Sequence, residues 1–473
     1  MWIASVRSID WPSRPGLSAA RQRAELVAWL DLARKLKLNA VVLQVRPTGD
    51  AFWPSRYAPW SEWLTGRQGV HPGYDPLAFA VREAHARNLE LHAWFNPYRA
   101  SFGNDPRKLV RDHPARTHPD WVFRYGDSLY YDPGVPAARE FVQRAVLDAV
   151  RRYDIDAVHF DDFFYPYPLP GKKLPDRATY RKYGAGFDSI GDWRRHNVDL
   201  LVRDMGRRIH RAKPWVWFGI SPFGIWRNAR SDPRGSDTAG LESYSAIYAD
   251  SRRWVERGWV DYVVPQLYWQ LGYDIADYTT LVRWWSGVVR GTGVRLYVGQ
   301  AAYRLGTEGP WRRSDELSRH LAVNRRHPEV TGDVYFSAAS MRADGAGGVT
   351  ALVEDHYARP ALVPRATGRG GSAPAPPATT AVEADDADGV TVRWRGAERA
   401  ATSYAVYRFA GRSASACGFA DARQLLTTVR RTSGDTQTYL DTTARPGQTY
   451  TYHVTALDRF GHESRPGAGQ TTE

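Results

Sequence analysis

Residues 137–166 read "AAREFVQRAVLDAVRRYDIDAVHFDDFFYP", and they contain one helix-and-strand unit of a kind that recurs along the chain. The apolar spacing over 137–153 predicts an amphipathic helix, and the apolar run over 155–166 predicts a buried strand. Asp161 and Asp162 stand at the end of that strand, although a buried carboxylate is costly unless a partner stabilises it. The stretch therefore predicts a β/α fold and a functional position at a strand end.

Seven further apolar runs predict strands in the first part of the chain, with helix-like segments between them. They lie at 2–6, 39–47, 89–99, 215–224, 260–269, 294–304 and 332–340. Alternating strands and helices predict a parallel sheet, and eight units predict an α/β protein with a (β/α)₈ TIM barrel. No glycine-rich phosphate loop follows the first run, which disfavours a doubly wound sheet. We assign residues 1–362 to the barrel.

The remainder of the chain has a different pattern. Residues 366–380, "ATGRGGSAPAPPATT", lack apolar periodicity, so we assign 363–380 to a linker rich in Pro, Gly and Ala. Short alternating runs over 381–473 predict a small all-β, immunoglobulin-like sandwich. Trp394 and the strand "YTYHVTALDRFG" make this part resemble a fibronectin type III module. We expect no chemistry in this module.

The amino-acid composition limits the classes of function that the protein can have. The 473 residues carry a formal net charge of +13, and the excess lies in residues 1–373. A basic surface attracts anionic polymers or membranes, but no nucleic-acid-binding motif is present and an arginine-rich composition explains much of the charge. The single cysteine, Cys417, excludes an intramolecular disulfide and a multi-cysteine metal site. We expect that the protein does not bind nucleic acid.

The chain also lacks a recognisable membrane or export segment. No window approaches the roughly 20 apolar residues of a membrane helix, and no secretory signal is visible. Strand-like sequence begins at residue 2, so we expect that an upstream segment was removed or that the start was assigned late.

Strand phases predict which side chains face the barrel interior, because successive residues alternate between the two faces. Apolar residues such as Leu91, Val158 and Ile220 take the outward phase, and polar residues take the inward phase near the strand ends. The inward residues are Gln44, Arg46, His92, Trp94, Asn96, His159, Asp161, Ser221, Gln266 and Tyr268. Since barrel active sites form at the carboxyl ends of the strands, this pattern predicts a functional cleft there.

The inward-facing side chains limit the reactions that the predicted site could catalyse. Ser221 lacks a nucleophile-elbow motif, and His92, His159 and Asp161 lack the spacing of a known metal motif, so we predict no metal and no cofactor. Aromatic residues near the strand ends suit sugar rings, and carboxylates beside them predict glycoside hydrolysis. The predicted substrate-binding residues are Arg46, His92, Trp94, Asn96, Tyr98, Arg99, His159, Tyr165, Ser221, Trp226, Arg227, Gln266, Tyr268 and Trp269.

Motifs in order along residues 2–345 carry a family resemblance. They include "VRSIDWPS", "LQVRPTGDAFWPS", "HAWFNPYR", "DAVHFDDFFYP", "GISPFGIWRN", "VDYVVPQLYW" and "YVGQAAYR". The chain resembles the bacterial glycosyl hydrolase-like 10 family. The resemblance implies a (β/α)₈ barrel, export, association with the cell envelope, and a peptidoglycan-type glycan strand as the polymer acted on.

We predict Asp161 and Asp162 as the catalytic pair. Like-charge repulsion and burial raise at least one pKa, so one carboxyl stays protonated as the acid while the other stays charged. We favour Asp162 as acid and Asp161 as charge stabiliser over the reverse. Alternative partners for one of them are the carboxylates Asp50, Asp132 and Asp250.

Three further hypotheses remain open at this point. An N-acetyl carbonyl of the sugar is an alternative nucleophile, with Asp161 and Tyr268 assisting it. A non-catalytic scaffold that binds glycan is an alternative to an enzyme, although it would gain little from paired carboxylates. A hydrolase of another exported polysaccharide is the third alternative.

Overall fold

The first part of the chain forms one parallel sheet of eight strands. The computed structural model describes residues 1–365, 370–385, 389–396 and 400–472. The strands are Trp2–Ile3, Ala40–Arg46, Glu90–Phe95, Ala157–Phe160, Trp217–Ile220, Tyr262–Val263, Arg295–Gln300 and Val330–Tyr335. Each strand pairs in parallel with the next one along this order. The predicted parallel sheet of eight strands is confirmed.

The two edges of this sheet approach each other. Asp10, which follows the first strand, accepts hydrogen bonds from Ser337 Oγ and the Ala339 amide, each at 2.7 Å, just beyond the eighth strand. The rings of Trp2 and Phe336 contact each other across the same boundary, with centroids 6.1 Å apart. The sheet is therefore a near-closed barrel, and the chain segments after the strands converge at its carboxyl-end face.

One main helix follows each strand. The main helices are Ala19–Lys35, Pro76–Ala86, Pro136–Arg152, Ile190–Ala212, Ser251–Glu256, Tyr278–Val289, Glu316–Asn324 and Gly348–His356. Shorter helices in the connections are Glu62–Thr65, Pro114–Thr117, Arg177–Tyr183, Ser243–Ala246 and Ala338–Ala343. The sequence sets these boundaries: Pro136 starts one helix, where its missing N–H costs nothing, and Ser189 caps another by accepting from the Asp192 amide at 3.1 Å. No helix in the described ranges is both long and apolar enough to cross a membrane.

A small antiparallel sheet interrupts the barrel after its third strand. It consists of Arg99–Ser101, Ser128–Tyr131 and Val122–Tyr125, in that spatial order. The third barrel strand ends at Phe95, so the predicted run 89–99 is too long. Pro97 has no amide hydrogen to continue the ladder, and the Asn96 side chain accepts from the Arg99 amide at 2.9 Å, which turns the chain into the new strand.

The barrel interior contains a layer of aromatic and imidazole rings. Tyr262 lies between His92 and His159, with ring centroids 5.4 and 5.9 Å away. Gly219 makes room for this layer, because a Cβ at that position would overlap the Tyr262 ring. A branched apolar core is the usual filling of such barrels, so this layer marks the interior as specialised.

Substitution of Gly219 by alanine is expected to destabilise the protein by about 1–3 kcal/mol, because overpacking forces Tyr262 from its position. Urea denaturation measures the change. Gly287→Ala is the matched control, since Gly287 lies on the exposed face of the helix Tyr278–Val289 and a Cβ added there would meet nothing within 4 Å. A Gly219→Ala variant as stable as the control would contradict this packing.

Residues 353–473 fall in a second compact unit, which also contains 33–39 and 84–89. Its strands are Ala378–Asp385, Gly389–Arg395, Ser403–Ala410, Leu425–Arg430, Thr436–Asp441, Tyr450–Leu457 and Gln470–Thr471. They form one antiparallel sheet of three strands and another of four, whose inner faces share a core around Trp394, Tyr404 and Tyr452. The first strand begins at 378, three residues before the predicted boundary at 381, and residues 366–369 of the predicted linker lie outside the described residues.

Candidate active site

A cavity of about 430 Å³ opens at the carboxyl ends of the barrel strands. Its lining contains two carboxylates, several aromatic rings and a few polar side chains. The lining residues are Trp2, Val6, Arg7, Ile9, Gln44, Trp94, Arg99, Phe102, Asp161, Asp162, Phe163, Tyr167, Ser221, Gln266, Tyr268 and Phe336. Seven predicted site residues therefore lie together here: Trp94, Arg99, Asp161, Asp162, Ser221, Gln266 and Tyr268.

Asp161 is held by three hydrogen-bond donors. Its Oδ2 accepts from Trp94 Nε1 at 3.0 Å and from Asn96 Nδ2 at 3.2 Å, and its Oδ1 accepts from the Phe163 amide at 3.1 Å. The strand register explains the contact with Trp94, which is paired with His159 two residues before Asp161. Asn96 does not line the cavity but fixes this carboxylate from behind.

Asp162 has a different set of partners. Its Oδ1 accepts from Gln266 Nε2 at 2.9 Å, and its Oδ2 accepts from the Tyr167 hydroxyl. The same Gln266 amide group donates to the Ser221 carbonyl at 2.9 Å, so it connects Asp162 to the chain segment at Ser221. The two adjacent aspartates therefore share a cavity but have separate environments.

Burial raises the pKa of both carboxyls, and the neighbouring charge of Asp162 raises the pKa of Asp161 further. Hydrogen bonds from Trp94 to Asp161 and from Tyr167 to Asp162 act in the opposite direction. Burial also raises the pKa of Tyr167 far above its usual range, so its hydroxyl keeps its proton. Since two adjacent buried charges repel each other, the pair retains one proton more readily than isolated aspartates do.

Two arginines form a cationic rim on this cavity. The Arg99 guanidinium lies over the Phe163 ring at 4.1 Å and over the Phe102 ring at 4.8 Å, and Arg7 lies over Phe102 at 4.9 Å. The charge of Arg99 lowers the pKa of both aspartates against the effect of burial. The rim thus places fixed positive charge beside the carboxylate pair.

Three predicted substrate-binding residues lie outside the cavity lining. His92 and His159 lie beneath the cavity in the barrel interior, where both imidazoles bind the Tyr262 hydroxyl, at 2.9 and 3.1 Å. Arg46 is fully buried and donates to the Asn96 carbonyl at 2.7 Å. These side chains lie behind the residues that line the cavity and do not reach the cavity surface.

The remaining predicted contacts lie away from the cavity lining. Tyr98 and Tyr165 are fully buried. Trp226 is 2% exposed and donates to Asp250 at 2.8 Å, while Arg227 pairs with Asp232 at 2.8 Å. Trp269, like these four, does not line the cavity. Strand-end position indicated a site for all five, but the fold buries Tyr98 and Tyr165 and pairs Trp226 and Arg227 with aspartates away from the cavity.

The three alternative carboxylates lie outside the cavity lining, and two of them have structural partners. Asp132 accepts from the Gly134 amide at 2.9 Å, as a turn-forming aspartate does, and Asp250 caps the helix Ser251–Glu256. Asp50 is 1% exposed and lies outside the cavity. Asp161 and Asp162 are therefore the carboxylates that line it.

Sequence reasoning missed other lining residues. Trp2 belongs to a strand of only two residues, which is too short to show which of its side chains alternate inward and outward. Phe102 and Phe163 lie in connections between strands, where hydrophobic periodicity gives no signal. Tyr262, which joins the two buried histidines, occupies an apolar run that reads as an ordinary strand. The only usable signal was the excess of aromatic residues after the strand ends.

Comparison with known protein families identifies the family of this chain. The sequence model of the family described as Glycosyl hydrolase-like 10 matches residues 1–313. The chain belongs to the glycosyl hydrolase-like 10 family. The predicted resemblance is confirmed for the barrel, and the aspartate pair lies within the matched region.

Two bacterial members resemble the chain closely. It is 46% identical over 475 residues to "Glycosyl hydrolase YngK" of Bacillus subtilis, covering 98% of this chain and 91% of the relative. It is 42% identical over 359 residues to "Glycosyl hydrolase DigH" of Escherichia coli K12, covering 71% of this chain and 82% of the relative. This member of the glycosyl hydrolase-like 10 family is accordingly a glycoside hydrolase.

Among solved structures, the glycoside hydrolase domain of PgaB (BpsB) from Bordetella bronchiseptica is similar with a TM-score of 0.46 and 14% identity, covering 71% of this chain and 94% of that one.

Proposed function

We propose that this glycoside hydrolase cuts glycan strands of the bacterial envelope, with peptidoglycan strands as its substrate. The observation that carries the proposal is the adjacent pair Asp161 and Asp162, which line one cavity with different partners. Hydrolysis of a glycosidic bond needs a carboxyl that protonates the leaving oxygen and a second group that stabilises or attacks the anomeric carbon. The pair can supply both.

Hydrogen-bond chemistry supports different roles for the two aspartates. The partners of Asp161 are an indole N–H, a side-chain amide and a backbone N–H, all of which donate, so they favour an ionised carboxylate. The Tyr167 hydroxyl beside Asp162 both donates and accepts, so it tolerates a protonated acid. We therefore place the shared proton on Asp162, with Asp161 as the charged partner. In the opposite placement, burial and the charge of Asp162 raise the pKa of Asp161 to about 7, and we weigh the three donors to Asp161 above this shift.

In this assignment Asp162 protonates the leaving oxygen and Asp161 stabilises the positive charge that develops at the anomeric carbon. Among the described residues no other carboxylate lines the cavity, so the attacking group is water or the acetamido oxygen of the substrate itself. In the substrate-assisted case, Asp161 orients the acetamido group, with Tyr268 lining the same cavity. Both routes use the same acid.

The cavity walls support a sugar polymer as the substrate. Aromatic rings at Trp94, Tyr268 and Phe102 offer flat apolar faces, and Gln44 and Arg99 offer polar edges. YngK and DigH come from two different bacteria, which favours a polymer common to bacteria over a polysaccharide of one species. Such a substrate implies export to the envelope, where we place the protein.

We further propose that the C-terminal unit is a fibronectin type III-like module. Its sheets have the order first-second-fifth and fourth-third-sixth-seventh strand, and its core centres on Trp394. Aligned antiparallel sheets around a buried tryptophan are typical of this group of sandwiches. Its expected role is to space the barrel or attach it.

Purified glycan strands stripped of their peptides provide the test. Incubation with the wild-type protein is expected to yield shorter oligosaccharides by mass analysis, and a panel of cellulose, chitin and partly deacetylated polymers defines the specificity. Binding without cleavage of any polymer would leave a glycan-binding role and refute the hydrolase proposal. Cleavage restricted to another polymer would refute peptidoglycan as the substrate.

A further inference from the structure

A chain of hydrogen bonds runs through the barrel interior beneath the candidate acid. Trp2 Nε1 donates to His159 Nε2 at 3.3 Å, and His159 Nδ1 lies 3.1 Å from the Tyr262 hydroxyl. The same hydroxyl lies 2.9 Å from His92 Nδ1, and His92 Nε2 lies 3.1 Å from Glu90 Oε2. Five side chains from four strands are thereby connected in series.

The two ends of this hydrogen-bond chain fix the direction of every bond in it. An indole N–H only donates, so His159 Nε2 carries no proton and its Nδ1 does. A carboxylate only accepts, so His92 Nε2 carries a proton and its Nδ1 does not. Tyr262 then accepts from His159 and donates to His92, which satisfies both demands at once.

In this arrangement the two histidines have opposite tautomers. A second proton on His159 would face the Trp2 N–H, and burial lowers the pKa of His159 well below its usual range. A second proton on His92 would face the hydrogen that the Tyr262 hydroxyl donates to it. The Trp2 N–H and burial thus both keep the proton of His159 on Nδ1.

The hydrogen-bond chain ends at the cavity through Ser221. Its Oγ lies 3.0 Å from His159 Nε2, so the Ser221 hydroxyl donates there and shares the single lone pair of that nitrogen with the Trp2 N–H at 3.3 Å. The alternative acceptor for the Ser221 hydroxyl, the Phe160 carbonyl, is 3.5 Å away. The lone pairs of Ser221 remain for the cavity that it lines. Gln266 already donates to Asp162 and to the Ser221 carbonyl, so this part of the floor offers acceptors to a ligand.

We propose that Ser221 determines specificity as a hydrogen-bond acceptor for an N–H or O–H donor of the bound sugar, and that Tyr262 is the positioning residue that holds it in this state. The proposal rests on the proposed function for the identity of the ligand. The hydrogen-bond chain is not a proton path to the acid, because the Gln266 amide, which does not titrate, stands between Ser221 and Asp162.

Nitrogen-15 NMR of the histidine side chains tests the hydrogen-bond chain itself, because protonated and unprotonated ring nitrogens have distinct shifts. We expect His159 to carry its proton on Nδ1 and His92 to carry a proton on Nε2. The ring-nitrogen signals that disappear in His92→Gln belong to His92. The signals that shift in Ser221→Ala belong to His159, the histidine that Ser221 contacts. A proton on His159 Nε2 would overturn the proposal whether or not the protein cuts glycan.

Kinetics on glycan strands test the role of Ser221. Ser221→Ala and Tyr262→Phe are each expected to raise KM about tenfold, with a smaller change in kcat. Ser221→Ala removes the acceptor for the substrate, and Tyr262→Phe leaves the His159 Nδ1–H without its acceptor, so the imidazole can change tautomer and Ser221 no longer keeps its lone pairs for the substrate. Tyr297→Phe is the matched control, because Tyr297 packs on Tyr262 but its hydroxyl contacts Arg295 instead of the hydrogen-bond chain. Wild-type KM in Ser221→Ala, or equal KM in the two tyrosine variants, would overturn the proposal.

The same variants distinguish the donor on the sugar. A loss confined to N-acetylated strands identifies the acetamido N–H, and an equal loss on de-N-acetylated strands identifies a hydroxyl. If the wild-type protein cut no glycan while both tautomers were as expected, the proposed function would fail and Ser221 would have no substrate role, although the assigned hydrogen-bond chain would stand.

Discussion

Replacement of Asp162 by asparagine is expected to lower kcat on glycan strands by on the order of 10³-fold, because the amide cannot donate the proton that the leaving oxygen needs. KM should change little, since the introduced asparagine still accepts from Gln266 and fills the same space. Initial rates measured over a range of strand concentrations separate the two constants.

Asp333→Asn is the matched control for this variant. Asp333 also lies at a barrel strand and accepts from a glutamine amide, that of Gln300, at 2.8 Å, but it does not line the cavity. The control should keep wild-type kcat. Turnover of Asp162→Asn within a few-fold of the control would remove Asp162 as the acid and favour the reverse assignment.

Replacement of Asp161 by asparagine is expected to lower kcat by about 10²-fold or more, for a different reason. The amide has one acceptor oxygen, whereas both oxygens of Asp161 accept from Trp94, Asn96 and the Phe163 amide. The variant therefore leaves a buried donor unpaired and removes the charge opposite the anomeric carbon.

The same variant should shift the pH profile in a defined direction. Asp162 acts in its protonated form, so activity falls as the pH rises through its pKa. The charge of Asp161 raises that pKa by repulsion, and its removal lowers it. The alkaline limb of kcat should therefore move to lower pH in Asp161→Asn. A shift to higher pH would contradict the assigned roles.

Asp199→Asn is the matched control for Asp161. Asp199 accepts from the indole of Trp254 at 2.7 Å, as Asp161 does from Trp94, but it belongs to the helix Ile190–Ala212, outside the cavity lining. Its pH profile should equal that of the wild type. A shared shift in both variants would indicate a general loss of packing.

The sequence predicted the parts of this site that lie on regular strands. The alternation in strands three and four placed Trp94, Asn96 and Asp161 on one face, and their hydrogen bonds now connect them. Periodicity works there because each strand is flanked by two others that fix its pleat. The same reasoning placed His159 on the inward face but could not reveal its depth.

The parts that the sequence did not predict depend on the connections between strands. Phe102 reaches the cavity just after a separate antiparallel strand, Arg99–Ser101, and Trp226 turns away to donate to Asp250. Tyr262 gave no signal, because a tyrosine in an apolar run is typical of an ordinary strand. Loop paths and the depth of a side chain in the barrel require coordinates.

The most direct measurement of the central claim is cleavage of peptide-free glycan strands in heavy-oxygen water, with wild type, Asp162→Asn and Asp333→Asn compared by mass spectrometry. Hydrolysis with Asp162 as acid predicts shorter products that carry one heavy oxygen at each new reducing end from wild type and Asp333→Asn, and none from Asp162→Asn. Labelled products formed equally by Asp162→Asn, or unchanged strands with the wild-type protein, would contradict it.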